Sequence, residues 1–205
     1  MQYIVSLVIG FVIGSFPTAY LLVKHQAQVD IRFVGSGNVG ARNAYEVTNS
    51  KFIGAIVLVI DLFKGAVSVL IAYAIYSNQF GILGIAGIGS VLGHNYSPWL
   101  KFSGGRGLST TAGVMILLGW IYVVNWLVIY FIVHRISKHI HVSNIIATII
   151  SPISIILMPE SLINSVMLSD IKHSDLFFLC LILSLLILLR HIEVLKEILR
   201  LNIKK

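Results

Sequence analysis

Two glycine-rich stretches lie between the apolar runs of this chain, and both have the composition of anion sites. The first is Asp30-Ile31-Arg32-Phe33-Val34-Gly35-Ser36-Gly37-Asn38-Val39-Gly40-Ala41-Arg42-Asn43. Its glycines permit positive φ and let backbone N–H groups come close to a ligand. Successive N–H groups in such a turn form a nest for an anion, and Arg32 and Arg42 add charge. Phosphate is the natural occupant. The plainer reading is a tight interfacial turn held by its own Ser and Asn side chains.

The second stretch is Gly93-His94-Asn95-Tyr96-Ser97-Pro98-Trp99-Leu100-Lys101-Phe102-Ser103-Gly104-Gly105-Arg106-Gly107-Leu108-Ser109-Thr110. It opens directly into an apolar helix expected from Leu108. A helix N-terminus has N–H donors and partial positive charge, which suits a phosphate. Arg106 stands between glycines that add backbone donors without competing side chains. Tyr96, Trp99 and Lys101 equally fit interfacial anchors. The Gly-x4-Gly-Lys-Ser spacing is absent, so nucleotide binding is not expected.

Two further features carry charge into apolar surroundings. Asp61-Leu62-Phe63-Lys64-Gly65 lies inside a long apolar run, where each charge costs at least ~2.5 kcal/mol and is usually paired or functional. Asp61 and Lys64 are three apart on one helix face and can neutralise each other; a pocket role is the alternative. The run Arg190-His191-Ile192-Glu193-Val194-Leu195-Lys196-Glu197 puts His191 at a membrane exit, where imidazole can carry a proton or donate to phosphate. An amphipathic tail lying on headgroups accounts for most of that run.

The scaffold that must position these groups is a membrane one. Of 205 residues, 57% are hydrophobic and 11% charged, and mean hydropathy is +0.93; a soluble domain carries about a quarter charged residues. These values exclude disorder, coiled coil, collagen and disulfide scaffolds. Cys180 is the single cysteine and has no partner within the chain. The net charge of +7 comes from bases in short loops, which favours membrane orientation and anionic headgroups over nucleic acid. The first apolar run lacks a charged leader region and continues through Gly14 and Pro17, so it is expected to be a span, not a cleaved signal.

Apolar blocks occupy 4–23, 52–76, 80–92, 108–133, 142–158 and 176–189. The block 108–133 is long enough for one tilted crossing, at ~1.5 Å per residue, or for two short ones with a turn near 120–125. With the N-terminus outside and two crossings, the segments 24–51, 94–110, 135–141 and 190–205 face the cytoplasm. They hold 13 of the 15 Lys and Arg residues, as the positive-inside rule requires. The expected fold is therefore all-α: a polytopic integral membrane protein of one domain, 1–205. It has about seven transmembrane helices, some short, with the N-terminus outside and the C-terminus cytoplasmic.

With these motifs laid out, the chain resembles the bacterial acyl-phosphate:glycerol-3-phosphate acyltransferases (the PlsY family) over nearly its whole length. The matching blocks are Asp-Ile-Arg-x-x-Gly-Ser-Gly-Asn-x-Gly-Ala-x-Asn at 30–43, Asp-x-x-Lys-Gly at 61–65 and Gly-His-Asn at 93–95. Lys-Phe-x-Gly-Gly-x-Gly at 101–107 and Arg-His-x-Glu at 190–193 complete the set. The resemblance implies a seven-helix membrane enzyme of phospholipid synthesis, without metal or cofactor, in the bacterial plasma membrane. It would move a fatty acyl group from acyl phosphate to the 1-hydroxyl of glycerol 3-phosphate, releasing lysophosphatidate and phosphate. A soluble enzyme that forms the acyl phosphate is the implied functional partner.

Carried over to this chain, the resemblance makes Ser36, Arg106 and His191 the catalytic residues. It gives substrate binding to Gly35, Gly37, Asn38, Arg42, Asn43, Asp61, Lys64, His94, Asn95, Lys101, Gly104, Gly105, Gly107 and Thr110. The chain departs from the family pattern at several positions. Arg42 stands where a Thr is usual, and Glu46 where a phosphate-binding Arg is common. Ser103 and Arg106 replace two lysines, His141-Val142-Ser143-Asn144 replaces a Ser-Leu-x-Ser pattern, and Val194 replaces an Asn. These changes mark a divergent paralogue in which Arg42, one helical turn from Glu46, is positioned to supply the charge. Two rival readings stay open: a small-anion transporter, and a catalytically silent lipid-binding paralogue.

Overall fold

The computed structural model describes residues 1–166 and 172–192. It contains ten α-helices and two short 3-10 turns, with no strand among the described residues. Two compact units divide the chain, Met1–Leu118 and Gly119–Lys205.

The first unit is built from α1 (Gln2–Gly14), α2 (Thr18–Ala27), α3 (Ala41–Thr48), α4 (Lys51–Tyr76), α5 (Phe80–Asn95) and α6 (Leu108–Leu118). The run expected as one span at 4–23 is two helices. Pro17 has no N–H to continue the hydrogen-bond ladder, and the chain breaks over Ser15–Pro17 before α2 starts. Ser50 caps α4 by accepting the Ile53 N–H at 3.3 Å. From there 26 residues run without proline to Tyr76, about 39 Å at ~1.5 Å per residue and enough to cross a bilayer.

Small residues, not bulky ones, set the helix crossings. A β-carbon on Gly10 or Gly14 of α1 would fall on the Ala86 or Ser90 carbonyl of α5. One on Gly89 or Gly93 would fall on the Leu7 or Phe11 carbonyl of α1. Each helix thus presents a Gly-xxx-Gly face to the other, the arrangement that lets backbones touch where lipid gives no hydrophobic drive to associate. Gly65 of α4 meets the Thr110 carbonyl of α6 in the same way, and Gly113 meets Leu62. The large apolar side chains point outward: Val12, Phe63 and Leu70 are all more than half exposed, as a lipid-facing surface requires.

The second unit holds α7 (Trp120–Ser137), α8 (Ile140–Leu157), α9 (Glu160–Val166) and α10 (His173–Leu189). Polar side chains join its helices. Asn125 donates to Ser154 Oγ at 2.7 Å, and Trp126 Nε1 donates to Thr148 Oγ1 at 3.0 Å. The Tyr122 and Ser184 hydroxyls lie 2.8 Å apart. The apolar block 108–133 breaks at Gly119 into two helices, just before the expected turn. By length and apolarity the run Gln2–Ala27, α4, α7 and α8 can each cross a membrane, and α6 and α10 are shorter apolar helices.

Candidate active site

The first glycine stretch is organised by one side chain. Asn43, buried in the first turn of α3, accepts the Ser36 N–H on Oδ1 at 2.9 Å. Its Nδ2 donates to the carbonyls of Asn38 at 3.0 Å, Val34 at 3.1 Å and Ile31 at 3.3 Å. The loop is wrapped around this amide. Gly35 is required there twice over: its φ is +60°, and a β-carbon would fall on Asn43 Oδ1. Gly37 follows at φ +67°. The outcome exposes Ser36 at the tip, with Asn38 half-buried beside it.

The arginines of this stretch are already paired. Asp30 caps the 3-10 turn Ile31–Phe33 by accepting the Arg32 N–H at 3.0 Å, and the Arg32 guanidinium forks onto the Asp30 carboxylate, with its shortest contact at 2.6 Å. Those hydrogen bonds hold the Asp30 carboxyl below the ordinary carboxylate range and raise the guanidinium. Arg32 Nη1 also donates to the Leu100 carbonyl at 3.1 Å, so its role is to tie the first glycine stretch to the second. Arg42 Nε donates to Glu46 at 2.8 Å, one turn along α3, with both side chains well exposed. Glu46 is the counter-ion of Arg42 on α3.

The second stretch docks on the end of α5. Gly104 N–H donates to the Asn95 carbonyl at 3.2 Å and Gly105 N–H to the His94 carbonyl at 3.0 Å. The Gly105 N–H was expected as a backbone donor beside Arg106; in the structure it and the Gly104 N–H turn to the protein, where they satisfy carbonyls at the end of α5. Gly107 has φ +80° and its carbonyl starts α6 by accepting from Thr111 at 2.8 Å. Arg106 is half-buried at the mouth of α6, where the first-turn N–H groups have no intrahelical acceptor. Thr110 is fully buried, and its hydroxyl has no hydrogen-bond partner among the described residues. Lys101 is exposed.

Asp61 and Lys64 are buried in α4 and form an ion pair of 2.8 Å. His94 and Asn95, also buried, end α5. A small cavity of about one water molecule's size lies between Asp61, Lys64, His94, Thr18, Val39 and Gly105. The sequence reading missed the helix break at 15–17. Ser97 Oγ donates to the Ser15 carbonyl at 2.6 Å, and Trp99 Nε1 to Ser15 Oγ at 3.0 Å. Thr18, whose buried hydroxyl has no hydrogen-bond partner among the described residues, lines the cavity. Pro17 inside an apolar run was the signal.

In the second unit His191 is buried, and its Nδ1–H donates to the Ile187 carbonyl at 2.8 Å. That bond makes Nδ1 a proton-bearing nitrogen of the ring. Ser143 is buried at the start of α8, donating to the His139 carbonyl at 2.8 Å. Glu193, Val194 and the rest of the basic tail lie outside the described residues.

An all-helical scaffold packed through glycine, with two joined glycine loops at span ends, defines a polytopic integral membrane protein with a polar site at its helix ends. A profile of the family described as glycerol-3-phosphate acyltransferase matches residues 4–201, and the chain belongs to that family. A glycerol-3-phosphate acyltransferase of Clostridium acetobutylicum is 36% identical over 159 residues, covering 75% of this chain and 80% of that protein. Glycerol-3-phosphate acyltransferase 2 of Thermotoga maritima is 33% identical over 196 residues, covering 94% and 90%. The crystal structure of PlsY, an integral membrane glycerol 3-phosphate acyltransferase in its glycerol 3-phosphate form, superposes with a TM-score of 0.79. Its identity is 25%, over 98% of this chain and 93% of that one.

Proposed function

We propose that this protein acylates the 1-hydroxyl of glycerol 3-phosphate, with acyl phosphate as the donor, in the plasma membrane of a bacterium. The observation that carries the reading is the joining of the two glycine stretches. Arg32 reaches from one to Leu100 of the other, and a β-carbon on Gly105 would sit 2.7 Å from the Val39 carbonyl. Two substrates, each bearing phosphate, need two such loops side by side.

Acyl phosphate is a mixed anhydride with a good leaving group, so no covalent enzyme intermediate is needed. The acceptor hydroxyl attacks the acyl carbonyl carbon, an oxyanion forms, and the bond to phosphate breaks to release inorganic phosphate. Holding both anions close and oriented supplies much of the rate. Arg106 and the first-turn N–H groups of α6 offer positive charge to the oxyanion and the departing phosphate. Ser36, at the loop tip, orients the acceptor. The hydroxyl proton goes either to His191 Nε2 or to a phosphate oxygen; loss of activity in His191→Gln selects the first, and its retention the second.

The seven-span arrangement with the N-terminus outside accompanies this reading. It places the glycine loops in the cytoplasm and lets the acyl chain arrive from the bilayer. A soluble enzyme forming acyl phosphate is its expected supplier. The experiment is phosphate release by purified protein, which must require both substrates; a transporter or a silent paralogue releases none. Ser36→Ala should lower turnover at least tenfold, about 1.4 kcal/mol in barrier, with expression unchanged. A fully active Ser36→Ala would return the loop to a structural role.

A further inference from the structure

We infer that Asp61, Lys64 and His94 are positioning residues: a buried relay that sets the glycine loop carrying Arg106, without touching substrate. The inference rests on the acyltransferase reading above for its kinetic consequence, but its structural basis is independent.

The first observation is saturation. An ammonium has three N–H groups. Lys64 Nζ lies 2.8 Å from Asp61 Oδ1, donates to the Phe16 carbonyl at 2.8 Å and lies 3.4 Å from His94 Nδ1. Two donors are taken by Asp61 and Phe16, and His94 Nδ1, which also lies 3.8 Å from Asp61 Oδ1, is the acceptor within reach of the third when it carries the lone pair. Lys64 and Asp61 are 7% and 3% exposed; a charge pair this deep is stable only when every polar atom is met.

The second observation is direction. When His94 Nδ1 accepts from the ammonium, the proton of the neutral ring sits on Nε2. That edge of the ring lies against Gly105, where a β-carbon would fall on Nε2. The backbone of the same residue accepts the Gly105 N–H, and Asn95 accepts the Gly104 N–H. Asn95 Oδ1 would sit 2.7 Å from a β-carbon on Gly107. Every glycine of the loop is therefore seated against the end of α5, and the His94 ring is held in place from behind by α4.

The third observation is reach. The same turn of α4 touches the helix break at Phe16 and, through Gly65, the start of α6 at Thr110. One helical turn thus meets the break, the loop's seat and the helix that follows the loop. The Asp-x-x-Lys-Gly spacing places the pair and the close-approach glycine on that turn.

The test uses the full chain in detergent with His94→Leu, His94→Gln and Lys64→Met, each alone and with Arg106→Ala. Amide exchange over 103–108 reads the loop without reference to activity. His94→Leu and Lys64→Met should speed exchange at Gly104 and Gly105 at least tenfold, and lower kcat at least tenfold with both KM values within twofold. His94→Gln keeps an acceptor and a donor and should recover most of both. In the Arg106→Ala background, His94→Leu should cost less than threefold more. Unchanged exchange, a KM rise for glycerol 3-phosphate with kcat kept, or additive losses would each overturn the relay. If Lys64→Met does not fold, His94→Leu decides the matter with the ion pair intact. Wild-type protein that releases no phosphate would sink the acyltransferase reading, while the exchange result would still judge the relay.

Discussion

Replacing Asn43 by Ala asks whether this residue binds substrate or builds the loop that does. Its amide accepts one backbone N–H and donates to three carbonyls, at 2.9 to 3.3 Å, and the side chain is 1% exposed. A buried hydrogen bond contributes roughly 1 kcal/mol net, and an orphaned buried partner costs more. One accepted bond and two N–H groups shared among three carbonyls give an expected loss of about 3 kcal/mol, the 3.3 Å contact adding least. Much of this falls on the loop, because the released groups are the backbone on either side of Ser36. A displacement of about 1 Å at a reacting group costs on the order of a hundredfold in rate. Asn43→Ala should therefore lower both thermal stability and kcat, the latter by a hundredfold, in a phosphate-release assay on monodisperse protein. Asn43→Asp keeps the acceptor for the Ser36 N–H and loses the donors, so it should fall between. An Asn43→Ala protein with wild-type unfolding temperature and kcat, but a raised KM for glycerol 3-phosphate, would refute the argument and make Asn43 a substrate ligand.

Three further outcomes follow from the geometry. Arg106→Ala should cost ~2–4 kcal/mol of transition-state stabilisation, and Arg106→Lys should recover much of it, giving the order Arg, Lys, Ala in kcat/KM for acyl phosphate. Glu46→Gln frees the Arg42 guanidinium and should lower KM for glycerol 3-phosphate about twofold to fivefold at low salt, an effect that fades above ~0.5 M as exposed charges are screened; titration across ionic strength checks it. Gly89→Ala puts a methyl on the Leu7 carbonyl and should destabilise by ~1–3 kcal/mol. Gly81→Ala, whose nearest neighbour is 3.6 Å away, should leave the unfolding temperature within a degree or two, since exposed helix substitutions change stability by about half a kcal/mol.

The sequence carried the class and the family. Apolar runs of bilayer length, bases gathered in a few loops and ordered Gly, Asp, Lys and His motifs are local properties, legible one segment at a time. The break within 108–133 was also legible, because the charges of Arg135 and Lys138 needed a second crossing. Tertiary structure decided what each polar residue does. Arg32 and Arg42 look alike beside a glycine turn, yet one is tied to Asp30 and Leu100 and the other to Glu46. Asp61, Lys64 and Asn43 were candidate ligands through the family resemblance, but their hydrogen bonds are met by protein groups lying 3 to 48 positions away. Gly105 read as a backbone donor beside Arg106 until α5 supplied a carbonyl for it. A donor's partner is whatever the fold brings within 3 Å, and in a protein packed backbone to backbone through glycine, that distance is fixed by helices far apart in the chain.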